Sequence, residues 1–143
     1  EQQTVDKWKK GLIRIGGTAA QEAMSGKLDL KDEQEILINL SDIIMDIFNA
    51  ESALLRVMKV ADQFKDKPIE LYDAILRTYI HDTAPKILKI GTDAVASFIA
   101  PEMQGAFISG LRKFTKYPLQ NIKENRRKIA AYAIEHKGYP LGN

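Results

Sequence analysis

The chain contains no cysteine. Disulfides, thiol nucleophiles and thiolate metal sites are therefore excluded. Histidine is scarce too, with only His81 and His136 in 143 residues. Neither completes an H-x-x-x-H or E-x-x-H spacing, so a histidine-based metal centre lacks its ligands. No run of about 18 apolar residues exists, the length a bilayer-spanning helix needs. Alternating β-branched runs, the mark of strands, are missing. No serine sits in a G-x-S-x-G elbow. Net charge is only +2, too little to cover the whole molecule with a field that attracts nucleic acid.

What is present is helical periodicity. Over residues 32–62, Ile36, Leu40, Ile43, Ile47, Ala50, Leu54, Val57 and Ala61 alternate four and three apart. That spacing draws a seam down one side of a helix. A second apolar row, Leu37, Ile44, Phe48, Leu55 and Met58, lies beside it, and Glu35, Asn39, Asp42, Asp46, Asn49, Arg56 and Lys59 keep a third side polar. A helix apolar on more than half its circumference is expected between neighbours, at the centre of a bundle.

The rest of the chain supplies those neighbours. Residues 4–25 carry Val5, Trp8, Leu12, Ile15, Ala19 and Ala23 in one helical stripe. The stripe keeps its phase across Gly16-Gly17, so one helix is expected, with the glycines packed closely on a neighbour. A phosphate-binding loop would need a preceding strand. Pro68 suits the first turn of a third helix over residues 68–99. Pro85 lies inside that run and predicts a kink near Thr83. A short helix over 102–115 follows, with Met103, Phe107, Ile108, Leu111 and Phe114 on its apolar side. A last helix over 119–136 is expected to turn Leu119, Ile122, Ile129, Tyr132 and Ala133 inward. Gly138 stops it, and residues 139–143 read as an extended tail. The fold class is all-α: an antiparallel bundle of four to five helices forming a single domain over residues 1–143, without linkers or repeats.

Catalysis requires converging groups with tuned proton affinities, and this sequence offers few. Asp42 and Asp46 stand one turn apart, close enough to share a metal ion or a proton, but on a polar face they read as solvated. His81 beside Asp82 reads as a surface or satisfied histidine. His136 falls in a last helical turn, where it favours the dipole. No catalytic, cofactor-binding or metal-binding residue is assigned. The charge asymmetry is more informative. Residues 112–137 hold eight Lys/Arg against Glu124 and Glu135, a local +6, while the remainder sums to −4. Lys113, Lys116, Lys123, Arg126, Arg127 and Lys128 flank Phe114 and Tyr117. Such a patch can lie on an anionic membrane, hold a phosphate-bearing ligand or meet an acidic protein surface, or be a solvated helix face. With the remainder acidic, nucleic acid is not an expected partner.

Two segments carry a family resemblance. Glu33-Gln34, Leu37, Ser41-Asp42 and Phe48-Asn49-Ala50-Glu51-Ser52, followed by Leu54-Leu55-Arg56, resemble the pattern E-Q-x-x-L-x-x-x-A-D-x-x-x-x-x-(F/Y)-A-x-E-(S/A). That pattern opens a long helix in the C-terminal extension of long- and very-long-chain acyl-CoA dehydrogenases. Ser41 and Asn49 stand where alanines are commoner. Leu111-Arg112-Lys113-Phe114-Thr115-Lys116 is similar to a segment near the end of those chains. Residues 121–128 and Pro140-Leu141-Gly142 are similar as well, and Pro85 is a departure.

The resemblance implies a C-terminal fragment of a larger FAD-dependent enzyme of fatty-acid β-oxidation, an oxidoreductase acting on CH–CH. In that family a glutamate base takes the α-proton of an acyl-CoA and the β-hydride passes to flavin, giving a trans-2-enoyl-CoA. Base, FAD site and acyl-CoA pocket belong to the upstream catalytic domain, so no catalytic residue and no cofactor carries over to this stretch. The implied role is subunit association, in a homo-oligomer such as a dimer, and membrane or partner docking. For a bacterial parent the implied location is the cytoplasm, peripheral on the inner membrane. The competing expectation is a free-standing helical module that binds protein or lipid and has no enzymatic role.

Overall fold

A computed structural model describes residues 1–138. The expected tail over residues 139–143 lies outside the described residues. Five helices and no strand form the described part: α1 (Gln2–Met24), α2 (Gln34–Gln63), α3 (Ile69–Phe98), α4 (Pro101–Phe114) and α5 (Ile122–Glu135). The all-α bundle expected from the periodicity is what the chain adopts.

Local chemistry sets the boundaries. α1 ends at Ser25, and Gly26 then takes φ +76, a left-handed value that costs glycine nothing. Pro68 stands immediately before α3 as its N-cap rather than inside the first turn. Pro101 occupies the start of α4, where its missing N–H has no helical partner to lose. Arg112 and Lys113 sit in the last turn of α4, against the negative end of its dipole. Asn121 caps α5 by accepting from the Glu124 N–H at 3.3 Å. α3 runs through Pro85 as one helix.

The hub is α3, not α2. α3 packs against all four other helices, whereas α2 meets only α1 and α3. The core has two parts. One joins α1, α2 and α3 through Val5, Trp8, Ile43, Ile47, Leu76 and Ile80. The other joins α1, α3 and α4 through Ile15, Val95, Ile99, Phe107 and Leu111. The seam of α2 is buried as expected at Ile36, Ile43, Ile47, Ala50 and Leu54. Its second apolar row is not: Leu37, Ile44, Phe48, Leu55 and Met58 are between 43% and 66% exposed. The expectation of neighbours on both sides of α2 is therefore corrected. α3 buries eleven residues against seven in α2, as its contact with four helices requires.

Three smaller expectations are also corrected. A Cβ on Gly16 would meet only Leu40, at 3.9 Å, and one on Gly17 would meet nothing. The close approaches fall at other glycines, Gly11 against Phe114 and Gly91 against Leu111. Leu119 precedes α5 and is 98% exposed rather than inward. α5 has no buried residue; Ile122, Ile129, Tyr132 and Ala133 are only half-covered.

Candidate functional site

α3 and α2 bring together a pair that spacing does not announce. The Lys86 ammonium donates to Asp46 Oδ1 at 2.9 Å. The Tyr79 hydroxyl donates to the Asp46 backbone carbonyl at 3.5 Å. Asp46 is 6% exposed, so the expectation of a solvated carboxylate is corrected. Its other oxygen, Oδ2, is buried without a hydrogen-bond partner in the chain. The hydrogen bond to Asp46 holds the Lys86 ammonium above its ordinary proton affinity, against a smaller opposing effect of burial. Asp46 and Lys86 line a groove of about 840 Å³ together with Ile75, Thr83, Ile129 and Ala133. The sequence signal for this site is absent, because 40 residues separate the partners. Asp42, the other half of the expected carboxylate pair, is partly exposed and forms no ion pair among the described residues.

The six basic residues are distributed over several surfaces. Arg126 makes a two-pronged ion pair with Asp82, at 2.8 and 2.9 Å, tying α5 to α3. Lys113 and Lys116 border a recess of about 900 Å³ shared with Lys7, Arg77, Glu1 and Tyr117. There the Tyr117 hydroxyl donates to Glu1 at 3.1 Å. Burial first, then the Glu1 charge, raises the proton affinity of this phenol. Lys128 borders a recess with Glu70, Tyr132 and Glu135. Lys123 and Arg127 stand one turn apart on α5, exposed. His136 stacks on Tyr132, with ring centroids 3.9 Å apart. His81, half-buried, lines a third recess beside Pro85 and Arg112.

Chemically, these groups can bind and dock. Among the described residues no cluster of three or more His, Asp or Glu could hold a metal ion. No described helix is long and apolar enough to cross a membrane. The sequence has one glycine pair that could cradle a pyrophosphate, Gly16-Gly17. It lies in the middle of α1, where the helix ladder engages its amides. Its amides are therefore not free to hold a pyrophosphate. The fold thus defines a five-helix bundle with a two-part core, one uncovered apolar face on α2 and basic surfaces around α4 and α5.

Known proteins place that bundle. The family model described as "Acyl-CoA dehydrogenase, C-terminal domain" matches residues 7–113. A "Probable acyl-CoA dehydrogenase" of Bacillus subtilis (strain 168) is 30% identical over 144 residues, covering 99% of this chain and 23% of that protein. A solved acyl-CoA dehydrogenase complexed with FAD, from Bacillus anthracis, matches with a TM-score of 0.86 and 26% identity, over 98% of this chain and 24% of that one. This chain spans about a quarter of the length of these relatives. It belongs to the acyl-CoA dehydrogenase C-terminal domain family.

Proposed function

We propose that this chain is the accessory helical portion of an FAD-dependent acyl-CoA dehydrogenase of the long- or very-long-chain type. Its role is subunit association and docking onto a membrane or partner, at the cytoplasmic side of a bacterial inner membrane. The observation that carries this reading is the fit of nearly the whole chain, 98% of it, onto a quarter of an FAD-complexed enzyme. In this reading the flavin supplies the hydride chemistry and sits with the catalytic base in the rest of the parent enzyme. The chain contributes surfaces. The apolar outer row of α2 suits a protein contact. Lys113, Lys116, Lys123, Arg127 and Lys128, all exposed, suit an anionic surface.

Two measurements test it. The reading frame upstream of Glu1 is expected to encode a flavin-binding portion. Titration of the purified 143-residue chain with FAD is expected to leave flavin fluorescence unchanged. Acyl-CoA oxidation by a clean preparation of this chain would overturn the accessory role. For the membrane part, co-sedimentation should favour anionic over neutral vesicles, and Lys123, Arg127 and Lys128→Glu should abolish the preference. Equal pelleting with both vesicle types would remove it.

A further inference from the structure

We infer that the outer face of α2 is a self-association surface on which two copies of this chain pair, α2 antiparallel to α2, about a two-fold axis at Phe48. This makes the subunit-association part of the proposed function specific, and rests on that reading only for its setting.

The first observation is a face without a cover. Leu37, Ile44, Met45, Phe48, Leu55 and Met58 are exposed, while α1 and α3 occupy the opposite side of α2. Residues 37, 41, 44, 48, 52, 55 and 59 advance by three or four, so at 3.6 residues per turn they form one continuous row. No charge interrupts that row between Leu37 and Leu55. Glu51, at its edge, is engaged by Lys9 of α1. These exposed apolar side chains lie side by side on one helix face, the kind of contiguous patch that marks a protein contact.

The second observation is that the row complements itself. Reversed about Phe48, Ser41 of one copy stands opposite Leu55 of the other, and Ile44 opposite Ser52. Phe48 meets its own symmetry mate. Each of these large aliphatic side chains thus faces a serine, as ridges require grooves. The Ser52 hydroxyl already donates to the Phe48 backbone carbonyl at 2.8 Å, so covering it strands no donor. A two-fold axis demands this kind of match, because every contact is made twice.

Charge points the same way. Residues 32–42 hold four acids and no base, whereas residues 56–67 hold four bases and two acids. Antiparallel pairing sets the acidic end of each α2 beside the basic end of the other and opposes the two helix dipoles. Parallel pairing would set like ends together.

The absence of cysteine makes the test clean, since any introduced thiol is the only one present. Sedimentation equilibrium of the 143-residue chain should give a dimer. Phe48→Glu, at an exposed position, should keep the circular dichroism of the parent and raise the dimer dissociation constant by at least about tenfold. Leu55→Lys should do the same. Under mild oxidation Phe48→Cys should cross-link, because the axis brings the two thiols together. Ser41→Cys should not, because antiparallel pairing separates its two copies by 14 residues of rise, about 21 Å. A monomer at all concentrations, a Phe48→Glu dimer, or equal cross-linking at positions 41 and 48 would overturn the pairing. A monomer would leave this face to the remainder of a longer dehydrogenase chain, and the accessory reading itself would stand.

Discussion

Gly91 of α3 lies directly beneath Leu111 of α4. A Cβ at position 91 would come within 3.0 Å of both Leu111 methyl carbons and 3.6 Å of the Ile15 side chain. The three helices that build the second half of the core meet at this point. Overpacking there costs typically 1–3 kcal/mol, set against roughly 1 kcal/mol gained in helix propensity. Gly91→Ala is therefore expected to lose about 1 kcal/mol. Gly17→Ala, facing open space in α1, is expected to gain roughly 0.5–1 kcal/mol. Urea midpoints at unchanged m-value read both. A shift of the same sign for the two variants would contradict this packing.

That contrast shows what the sequence could carry. The helices were legible because burial on one side imposes a three-to-four spacing, as at Ile36, Ile43, Ile47 and Leu54. Which glycine needs its missing Cβ was not, because Gly16-Gly17 and Gly91 differ only in what a distant helix places over them. The same holds for the second row of α2. Apolarity at Ile44 and Phe48 says that a partner is favoured, not that this chain provides one. For the candidate site, the basic residues were readable as a composition shift. Their separation was not, since Asp82 lies 44 residues from the Arg126 it engages. Asp46 read as polar surface because its cover, Lys86 and Tyr79, comes from another helix.

The Asp46–Lys86 pair gives an asymmetric expectation. Lys86→Met leaves a carboxylate buried without its cation and is expected to cost roughly 1–3 kcal/mol. Asp46→Leu leaves a lysine whose side chain is 58% exposed and already reaches water. The double variant Asp46→Leu/Lys86→Met should therefore be more stable than Lys86→Met alone. A double-mutant cycle by chemical denaturation checks the order, and additive losses would refute the coupling.

Alkaline pH should weaken the fold through two protons. The hydrogen bond to Asp46 raises the proton affinity of Lys86 above its ordinary 10.5. Burial, reinforced by the Glu1 carboxylate, raises that of Tyr117 above its ordinary 10.0. Each group then holds its proton more tightly folded than unfolded. Above the ordinary values the unfolded chain releases these protons first, so stability falls as pH rises. Their contribution is complete below about pH 10 and declines above it. Tyr117→Phe should flatten the decline between roughly pH 9.5 and 11. An unchanged slope in that variant would show that the phenol does not contribute.

Local stability should be lowest in α5. It buries no residue, packs on α3 alone and is tied there by the exposed Arg126–Asp82 pair. Native-state hydrogen exchange should find α5 amides opening well before those of α3. Arg126→Ala should accelerate exchange in α5 while changing global stability by less than about 1 kcal/mol. Equal protection of α3 and α5 would show that the helix is held by more than its visible contacts.

Because α3 serves both halves of the core, the molecule has no seam along which it divides into two self-sufficient pieces. A nick in the loop at residues 25–33 would leave α1 clamped between two clusters that both depend on α3. A nick at residues 116–121 would free α5 without opening either cluster. Evolution can therefore trim or remodel this chain cheaply from one side only. Insertions and fusions are best tolerated beyond α4, while any change to the register of α3 is felt by every other helix at once.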